Sequence, residues 1–496
     1  MSNIELRNLT FGYGAELIFD HAQINIDDKW RLGLVGRNGR GKSTLLKLLQ
    51  GEIKSDSSVS TDKTFVYFPQ ELTDRDELTF YALSALTEFE QWELERELTL
   101  LKVDLEVLWR PFNSLSGGEQ TKCLLALLFL EQQNFALIDE PTNHLDIKSR
   151  ETVANYLKKK SGFIVVSHDR DFLNQVCDHI LAIERQQISL YQGTFSTYES
   201  EKKLRDEFEL AEDAKLRKDI SRLKQTAREK ESWSRNLEAT KSRKNRGFDS
   251  ETKRVDKGFI GRKAANMMQK SKNLEKRMND EITDKEKLLK NIEHIEPLSM
   301  NFVPSHHKVL LRLENFSLGF DGKKLFQPLN FELNQGEIIA ITGKNGAGKS
   351  SLIKYLNGTF EGETQGLLTV AHNISVAYVR QNYQNEGFLR EFAVQNQLDI
   401  ELFLSNLKKL GMERHVFSQK IETMSQGQQK KVELARALSQ TAQLYIWDEP
   451  LNYLDVFNHE QIESLLKNVQ PTLLVVEHDR AFINHVADKE IVLQKQ

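Results

Sequence analysis

Gly36-Arg37-Asn38-Gly39-Arg40-Gly41-Lys42-Ser43-Thr44 and Gly343-Lys344-Asn345-Gly346-Ala347-Gly348-Lys349-Ser350-Ser351 decide the fold of this chain. Each stretch follows a short apolar run, Arg31 to Gly36 or Ile338 to Gly343. Each opens a helical pattern, apolar from Thr44 to Leu49 in the first copy. A strand that turns through glycines into a helix is the setting a phosphate-binding loop needs. The glycines let successive backbone N–H groups face phosphate oxygens at the helix N-terminus. Lys42 and Lys349 are expected to meet the β- and γ-phosphates of a nucleotide, and Ser43 and Ser350 to ligate Mg2+. Gly36, Asn38, Gly39, Gly41 and Thr44 complete one cradle; Gly343, Asn345, Gly346, Gly348 and Ser351 complete the other. One such match can arise by chance, but two in one chain do not.

Working outward, the two copies keep a constant offset. Lys42 to Lys349 is 307 residues, Gln70 to Gln381 is 311, and Ser116 to Ser425 is 309. Asp139 to Asp448 is 309 and His168 to His478 is 310. The chain therefore contains a duplicated domain, expected over residues 1–198 and 300–496, with a linker over 199–299. Strands alternate with helices inside each copy, which predicts an α/β core with a largely parallel sheet. Residues 71–113 and 382–423 interrupt the alternation with mostly helical patterns and predict a smaller helical subdomain in each copy.

The chemistry recurs with the loops. Phe135-Ala-Leu-Ile-Asp139-Glu140 and Leu444-Tyr-Ile-Trp-Asp448-Glu449 are apolar strands that each end in two carboxylates. Asp139 and Asp448 suit a magnesium ion, and Glu140 and Glu449 suit polarisation of an attacking water. His168 and His478 each follow another apolar strand, where a lone histidine is usually structural. Their common offset behind paired carboxylates favours a catalytic role near the γ-phosphate. Gln70 and Gln381 are amides suited to sensing the metal or the water. Leu115-Ser116-Gly117-Gly118-Glu119 opens a helix, and its hydroxyl and N–H groups suit a phosphate.

This order of phosphate loop, glutamine, Leu115–Glu119 signature, carboxylate pair and histidine resembles an ABC-type ATPase domain. The resemblance implies two tandem domains that pair head to tail within one monomer. Each nucleotide then lies between one phosphate loop and the opposite signature helix. It also implies that Tyr13 and Phe320 stack on adenine, and that Asp146 and Asp455 line the interface. The second signature reads Met424-Ser425-Gln426-Gly427-Gln428 and keeps only Ser425 and Gly427 of the pattern's centre. It is expected to close the site on Lys42, leaving that site slower or longer occupied.

The linker separates charge. Residues 221–280 hold 18 Lys and Arg against 8 Asp and Glu, a net of +10, in a chain whose total is −4. Leu204, Phe208, Ala211, Leu216, Ile220 and Leu223 recur at helical spacing, as do Leu274, Met278, Ile282, Leu289, Ile292 and Ile295. The pattern predicts a long α-helical hairpin with a basic tip near residues 244–260. A solvated coiled coil would carry such charges only for solubility. The acidic remainder and the glycine-broken loop instead favour a focused contact with a phosphate-rich partner. Trp233, Phe248 and Phe259 either stack on bases or pin the loop to its own helices. No apolar run approaches the ~20 residues of a membrane span, and the first five residues carry no secretory pattern. Cys123 and Cys177 lack metal-ligand spacing and fit packing roles. The reading is a cytoplasmic protein without a membrane subunit.

Two fused ATPase domains and a long charged linker resemble the ABC-F class along the whole chain. Phe89 to Leu101, Leu108-Trp-Arg-Pro-Phe112 and Tyr445 to His459 resemble the Lsa-type antibiotic-resistance proteins of Gram-positive bacteria. Pro450-Leu-Asn-Tyr-Leu-Asp455 departs from the class at Leu451 and Tyr453. That resemblance implies ribosome protection: a closed, ATP-bound clamp whose linker passes the P-site transfer RNA towards ribosomal RNA at the peptidyl-transferase centre. Displacement of lincosamide, streptogramin A or pleuromutilin drugs follows. Lys244, Lys253, Arg254 and Lys257 are the expected phosphate contacts, and Val255 and Phe259 the expected packing residues near bases or drug. A housekeeping ABC-F factor for stalled ribosomes is the alternative. A transporter ATPase does not explain the basic arm. A DNA-repair ATPase carries its coil inside one ATPase domain rather than between two. The degenerate second signature predicts unequal turnover in the Glu140→Gln and Glu449→Gln single variants, read as steady-state ATPase rates; equal rates contradict unequal sites.

Overall fold

The computed structural model describes residues 3–13, 16–54, 59–131, 133–143, 145–184, 186–243, 276–277, 280 and 296–495. Met1–Tyr198 and Ile295–Gln496 form one compact unit, and Glu199–His294 another. The first unit holds two copies of one α/β architecture. In the first copy, strands Thr64–Phe68, Asn134–Asp139, Phe163–Val166, Arg31–Gly36, His179–Glu184 and Gln187–Gln192 stand side by side in that order. The first five are parallel and the last pairs antiparallel. The second copy orders Val376–Val379, Leu444–Asp448, Leu473–Val476, Ile338–Gly343 and Lys489–Leu493, all parallel. Phe163–Val166 and Leu473–Val476 are buried at every residue. Both faces of such a sheet are covered, so its strands read as unbroken apolar runs.

Each parallel sheet is covered on both sides. On one, an antiparallel sheet packs through Leu9, Phe19, Leu34, Leu45 and Ile164, and in the second copy through Leu313, Phe326, Ile341, Leu352 and Val476. On the other, the helical subdomain packs through Leu94, Leu98, Leu108, Phe112 and Leu125, or through Phe403, Leu407, Val416, Ile421 and Leu434. Parallel strands bring all their carboxyl ends to one edge. The loops after Arg31–Gly36, Asn134–Asp139 and Phe163–Val166 therefore converge, as do their counterparts.

At that edge the phosphate-loop helices run over Lys42–Gln50 and Lys349–Leu356. The first begins two residues before the apolar pattern, because its opening turn holds the polar Lys42 and Ser43. Gly41 and Gly348 cap these helices at φ 89° and 92°. A Cβ at Gly41 would sit 2.4 Å from Ile18 Cγ2, and one at Gly348 2.8 Å from Phe326 Cδ1. Only glycine meets both demands.

One helix of 49 residues runs over Phe195–Arg243, about 70 Å at ~1.5 Å per residue. It starts before the expected Glu199, since Phe195 and Tyr198 are buried in the first copy's core. Asn174 Oδ1 accepts the Ser196 N–H at 2.7 Å there. The tip residues Lys244, Lys253, Arg254, Val255, Lys257 and Phe259 lie outside the described residues, as does most of the expected second helix of the hairpin. Cys123 and Cys177 are buried and unpaired. Among the described residues no helix is long and apolar enough to cross a membrane.

The second copy carries one buried charge network that the first does not. Glu433, wholly buried, accepts from Arg380 Nη2 at 2.7 Å, Asn385 Nδ2 at 3.1 Å and Arg436 Nη2 at 2.7 Å. Leu124 holds the matching place in the first copy. Burial alone would raise the Glu433 pKa. The hydrogen bonds from Arg380 and Arg436 outweigh it and hold the carboxyl well below the usual range. Its contribution is therefore complete above the unfolded carboxylate range and is lost as pH falls through its depressed folded value. Glu433→Ala strands Arg380 and Arg436 and is expected to cost roughly 3–5 kcal/mol, read as a lower urea midpoint at pH 7; an unchanged midpoint contradicts the account.

Candidate active site

The first site gathers at the carboxyl edge of the six-stranded sheet. Lys42 is buried, and its Nζ donates to Gly36 O at 2.8 Å and Asn38 Oδ1 at 3.1 Å. Ser43 Oγ and Tyr67 OH both donate to Asp139 Oδ2 at 2.9 Å. Glu140 and Glu449 have φ 50° and 47°. A left-handed glutamate costs energy, of order 1–3 kcal/mol, and the same conformation in both copies marks a position the surroundings enforce. His168 Nε2 lies 3.1 Å from Glu140 Oε1, and His478 Nε2 lies 3.8 Å from Glu449 Oε1.

Burial and crowded carboxylates set the charges. Burial, then the neighbouring Asp139, push Glu140 up to about 8. Burial, then Glu449, push Asp448 up to about 7. The histidines move the other way: burial and Lys42 hold His168 well below its usual value, and burial and Lys349 bring His478 to about 3. Both imidazoles are therefore neutral at pH 7. Among the described residues, Glu140 Oε1 (despite the nearby His168 ring) and Gln70 Oε1 in the first site, and Asp448 Oδ1 in the second, are buried and accept no hydrogen bond. Hard oxygens of this kind, with the Ser43 hydroxyl on Asp139 in the first site, fit Mg2+, whose charge would relieve the crowding. No group of three or more Asp, Glu, His or Cys side chains forms a metal cage among the described residues. This suits an ion that takes most of its ligands from substrate phosphates and water.

The two copies meet at these edges. The Asn38 N–H donates to Asp455 Oδ2 at 2.7 Å, and Asn38 Nδ2 donates to Tyr453 O at 3.0 Å. Burial disfavours a charged Asp455, but Lys431 and Lys42 overcome it and hold the carboxyl below its usual range. A cavity of about 670 Å3 is lined by Tyr13, Lys42, Glu140 and His168 from one copy and Ser425, Gly427 and Lys431 from the other. A Cβ at Gly427 would stand 3.0 Å from Tyr453 O and 3.4 Å from Asn38 Nδ2, so a side chain there would crowd the phosphate loop. Ser425 caps its helix as Ser116 does. Ser425 Oγ accepts the Gln428 N–H at 3.3 Å and the Gln428 side chain returns to the Ser425 N–H at 3.0 Å, a capping box. Losing the counterpart of Gly117 thus leaves this helix start intact and places Gln426 in the cavity wall.

The second site differs in detail. Lys349 Nζ donates to Gly343 O at 2.9 Å and Lys344 O at 3.1 Å. The Asn345 N–H reaches Asp146 Oδ2 only at 3.5 Å. Gln381 Nε2 and Asn452 Nδ2 both donate to Glu449 Oε2, at 2.9 and 2.6 Å. Gln70 instead points its amide at Leu124 O, 3.5 Å away. Tyr13 and Phe320 are half exposed; Tyr13 stands edge-on to Phe11 at 5.2 Å and Phe320 tilts against Phe360 at 5.1 Å.

Sequence reasoning passed over three contributors. Tyr67 holds Asp139. Lys431 lies six residues past Ser425 and matches Lys122, six past Ser116. Arg170 and Arg480 each follow a His-Asp pair and reach the other copy. Arg170 Nη1 lies 3.3 Å from Glu463 Oε1, and Arg480 Nη1 3.1 Å from Glu151 Oε1. Repetition of the lysine and the arginine at the common offset was the available signal.

The family model described as ABC transporter matches residues 19–143 and 326–452. The chain is 28% identical to the ribosome protection protein VmlR of Bacillus subtilis, over 99% of this chain and 86% of that one. It is 27% identical to the ATP-binding protein Uup of Caulobacter vibrioides, over 99% and 77%. A crystal structure of archaeal ribosomal stalk protein aP1 with the archaeal ribosome recycling factor aABCE1 has a chain of like fold. Its TM-score is 0.63 at 22% identity, covering 99% of this chain and 88% of that one.

A carboxyl held near 8 is mostly protonated at pH 7, and a nearby divalent cation favours its charged form. Binding of Mg-nucleotide is therefore expected to release up to about one proton per first site, seen by titration calorimetry in buffers of different ionisation enthalpy; proton uptake contradicts the assignment. Asp455→Ala is expected to weaken nucleotide-induced closure about ten- to hundredfold, from loss of a charged hydrogen bond of ~1.5–3 kcal/mol. Asp146→Ala, at 3.5 Å, loses less. Equal losses in a nucleotide-binding titration contradict the asymmetry.

Proposed function

From the premise that this chain belongs to the ABC transporter family, as a tandem ABC ATPase that binds ATP, we propose that it is an ABC-F type ribosome-binding protein. ATP draws its two halves together, and the closed form lodges the basic linker in the large ribosomal subunit. The observation that carries this reading is likeness along 99% of the chain, linker included, to a relative named for ribosome protection. The +10 charge of residues 221–280 in an otherwise acidic chain supports an RNA-facing linker.

The residues divide the work as follows. Lys42 and Lys349 neutralise the β- and γ-phosphates, and the loop N–H groups from Asn38 and Asn345 onward orient them. Mg2+, held by Ser43 with Asp139 and by Ser350 with Asp448, would supply charge neutralisation at the β- and γ-oxygens. Glu140 and Glu449 accept a proton from the attacking water, and neutral His168 and His478 hydrogen-bond the γ-phosphate. Gln70 and Gln381 position water or ion. Ser116, Gly117 and Gly118 face the Lys349 site across the interface, and Ser425 and Gly427 face the Lys42 site. Tyr13 and Phe320 stack on the base. Closure gives ATP its leverage, because ligand shifts an equilibrium only by its differential affinity for the two states.

On the narrower reading the linker tip clears lincosamide, streptogramin A or pleuromutilin drugs from the peptidyl-transferase centre, past the P-site transfer RNA, in the cytoplasm. A housekeeping ABC-F role on stalled ribosomes is the alternative reading. The Glu140→Gln/Glu449→Gln variant is expected to sediment with 70S ribosomes in ATP. Deleting residues 243–261 is expected to abolish drug tolerance while ATPase activity stays. A trapped variant that floats free of ribosomes ends the ribosome reading; tolerance retained after the deletion ends only the role of the tip.

A further inference from the structure

We propose that the helical subdomain of the first copy is a docking surface for a lysine- and arginine-rich protein segment, and not for nucleic acid. The proposal rests on the ribosome reading for where the partner is met, but its chemistry is argued from the surface itself. Residues 71–113 hold 11 Asp and Glu against 4 Lys and Arg, a net of −7. Only one of those carboxylates, Glu97, is buried, where Lys160 and Tyr156 satisfy it. The rest lie at least partly in solvent.

Large rings stand among these charges. Tyr81 is 51% exposed, Trp92 58% and Trp109 51%. Trp109 stacks on Phe80 at 5.6 Å, Phe80 meets Tyr81 at 5.5 Å and Phe89 at 5.9 Å, and Trp92 is the second residue of the helix that begins at Gln91. Tyr81, Phe89 and Trp109 thus gather around Phe80, and Trp92 stands exposed on the Gln91–Leu100 helix of the same subdomain. Exposed Asp76, Glu77, Glu88, Glu90, Asp104 and Glu106 lie on the segments that flank these rings.

The duplicated domain supplies an internal control. Its helical subdomain, residues 382–423, has six acidic residues against five basic, a net of −1. Counting from the matching helix starts, Glu391, Glu401 and Ser418 replace Tyr81, Trp92 and Trp109. Packing of the helical subdomain therefore does not require the rings. Exposed tryptophans cost solubility unless they meet a partner, and the acidic surround fixes what that partner is. Phosphate backbones are repelled, whereas lysine and arginine gain both ion pairs and cation–π contacts. Arg96 already lies over the Trp92 ring at 5.5 Å and shows the ring accepting a cation. On the ribosome, the matching surface is the exposed basic part of a ribosomal protein.

Two measurements on the full chain test this, with Trp92 and Trp109 chosen because neither lines the nucleotide cavity. A fluorescent deca-lysine peptide is expected to bind, and Trp92→Ala/Trp109→Ala to weaken it at least tenfold with ATPase activity unchanged. Equal affinity for the double variant overturns the proposal, whatever happens on ribosomes. In the Glu140→Gln/Glu449→Gln background, benzoylphenylalanine in place of Trp92 is expected to photo-crosslink to a ribosomal protein in ATP. A crosslink to ribosomal RNA or to residues 221–280 of this chain, with sedimentation intact, overturns the docking surface but leaves the ribosome reading standing. Loss of sedimentation in the unlabelled trap overturns the ribosome reading instead, and the peptide measurement then decides the surface alone.

Discussion

The Asn38 N–H meets the Asp455 carboxylate at 2.7 Å across the two copies, and the rest of the architecture is arranged so that this bond can form. A parallel sheet puts its functional loops at one edge, and such an edge is open to solvent on its far side. Setting two edges face to face lets each copy close the other's loop. Asp455 also caps the Val456–Val469 helix through the Asn458 N–H, so the same carboxylate ties a helix start to the opposite phosphate loop. The buried lysines on either side, Lys42 and Lys431, keep it charged for that purpose.

The two sites are chemically alike and structurally unequal. In both, burial packs an Asp-Glu pair behind a lysine and a neutral histidine. Around Lys42 the opposite copy approaches closely, through Asp455, Tyr453 and Gly427. Around Lys349 the matching contact stretches to 3.5 Å, while Gln381 and Asn452 grip Glu449 from its own side. The buried Glu433 network behind Arg380 stiffens the segment that leads to Gln381, where the first copy has only apolar packing. The degenerate signature Met424–Gln428 keeps its capping box, so what it changes is the cavity wall at Gln426 rather than the helix.

Much of this was legible in the sequence because it is written twice. The phosphate loops, the Asp-Glu strand ends and the histidines each repeat at one offset, and parallel sheet geometry then forces them together. The α/β class followed from unbroken apolar strands alternating with helices. Element ends were less legible. The opening turn of Lys42–Gln50 is polar because it faces phosphate, so apolar periodicity missed it. The long helix begins at Phe195 because two aromatic residues tie it to a core that periodicity alone does not see. Tyr67 was illegible as an Asp139 partner because its twin, Tyr378, bonds Leu356 O instead, and a contact that differs between copies leaves no repeat to detect. Arg170 and Arg480 did repeat, but a charged residue after a histidine reads as surface until the second copy is placed against it.

The proposed function depends on nucleotide bringing the two copies together and on release when it is spent. The most direct measurement is the distance between spin labels on the two copies, one near the half-buried Arg40 and one near the exposed Arg414. It is taken by pulsed electron resonance in the Glu140→Gln/Glu449→Gln variant with and without Mg-ATP. With Mg-ATP a single short distance is expected; it lengthens and broadens without nucleotide and stays long in Asp455→Ala. A distance that does not respond to Mg-ATP would contradict the proposed function.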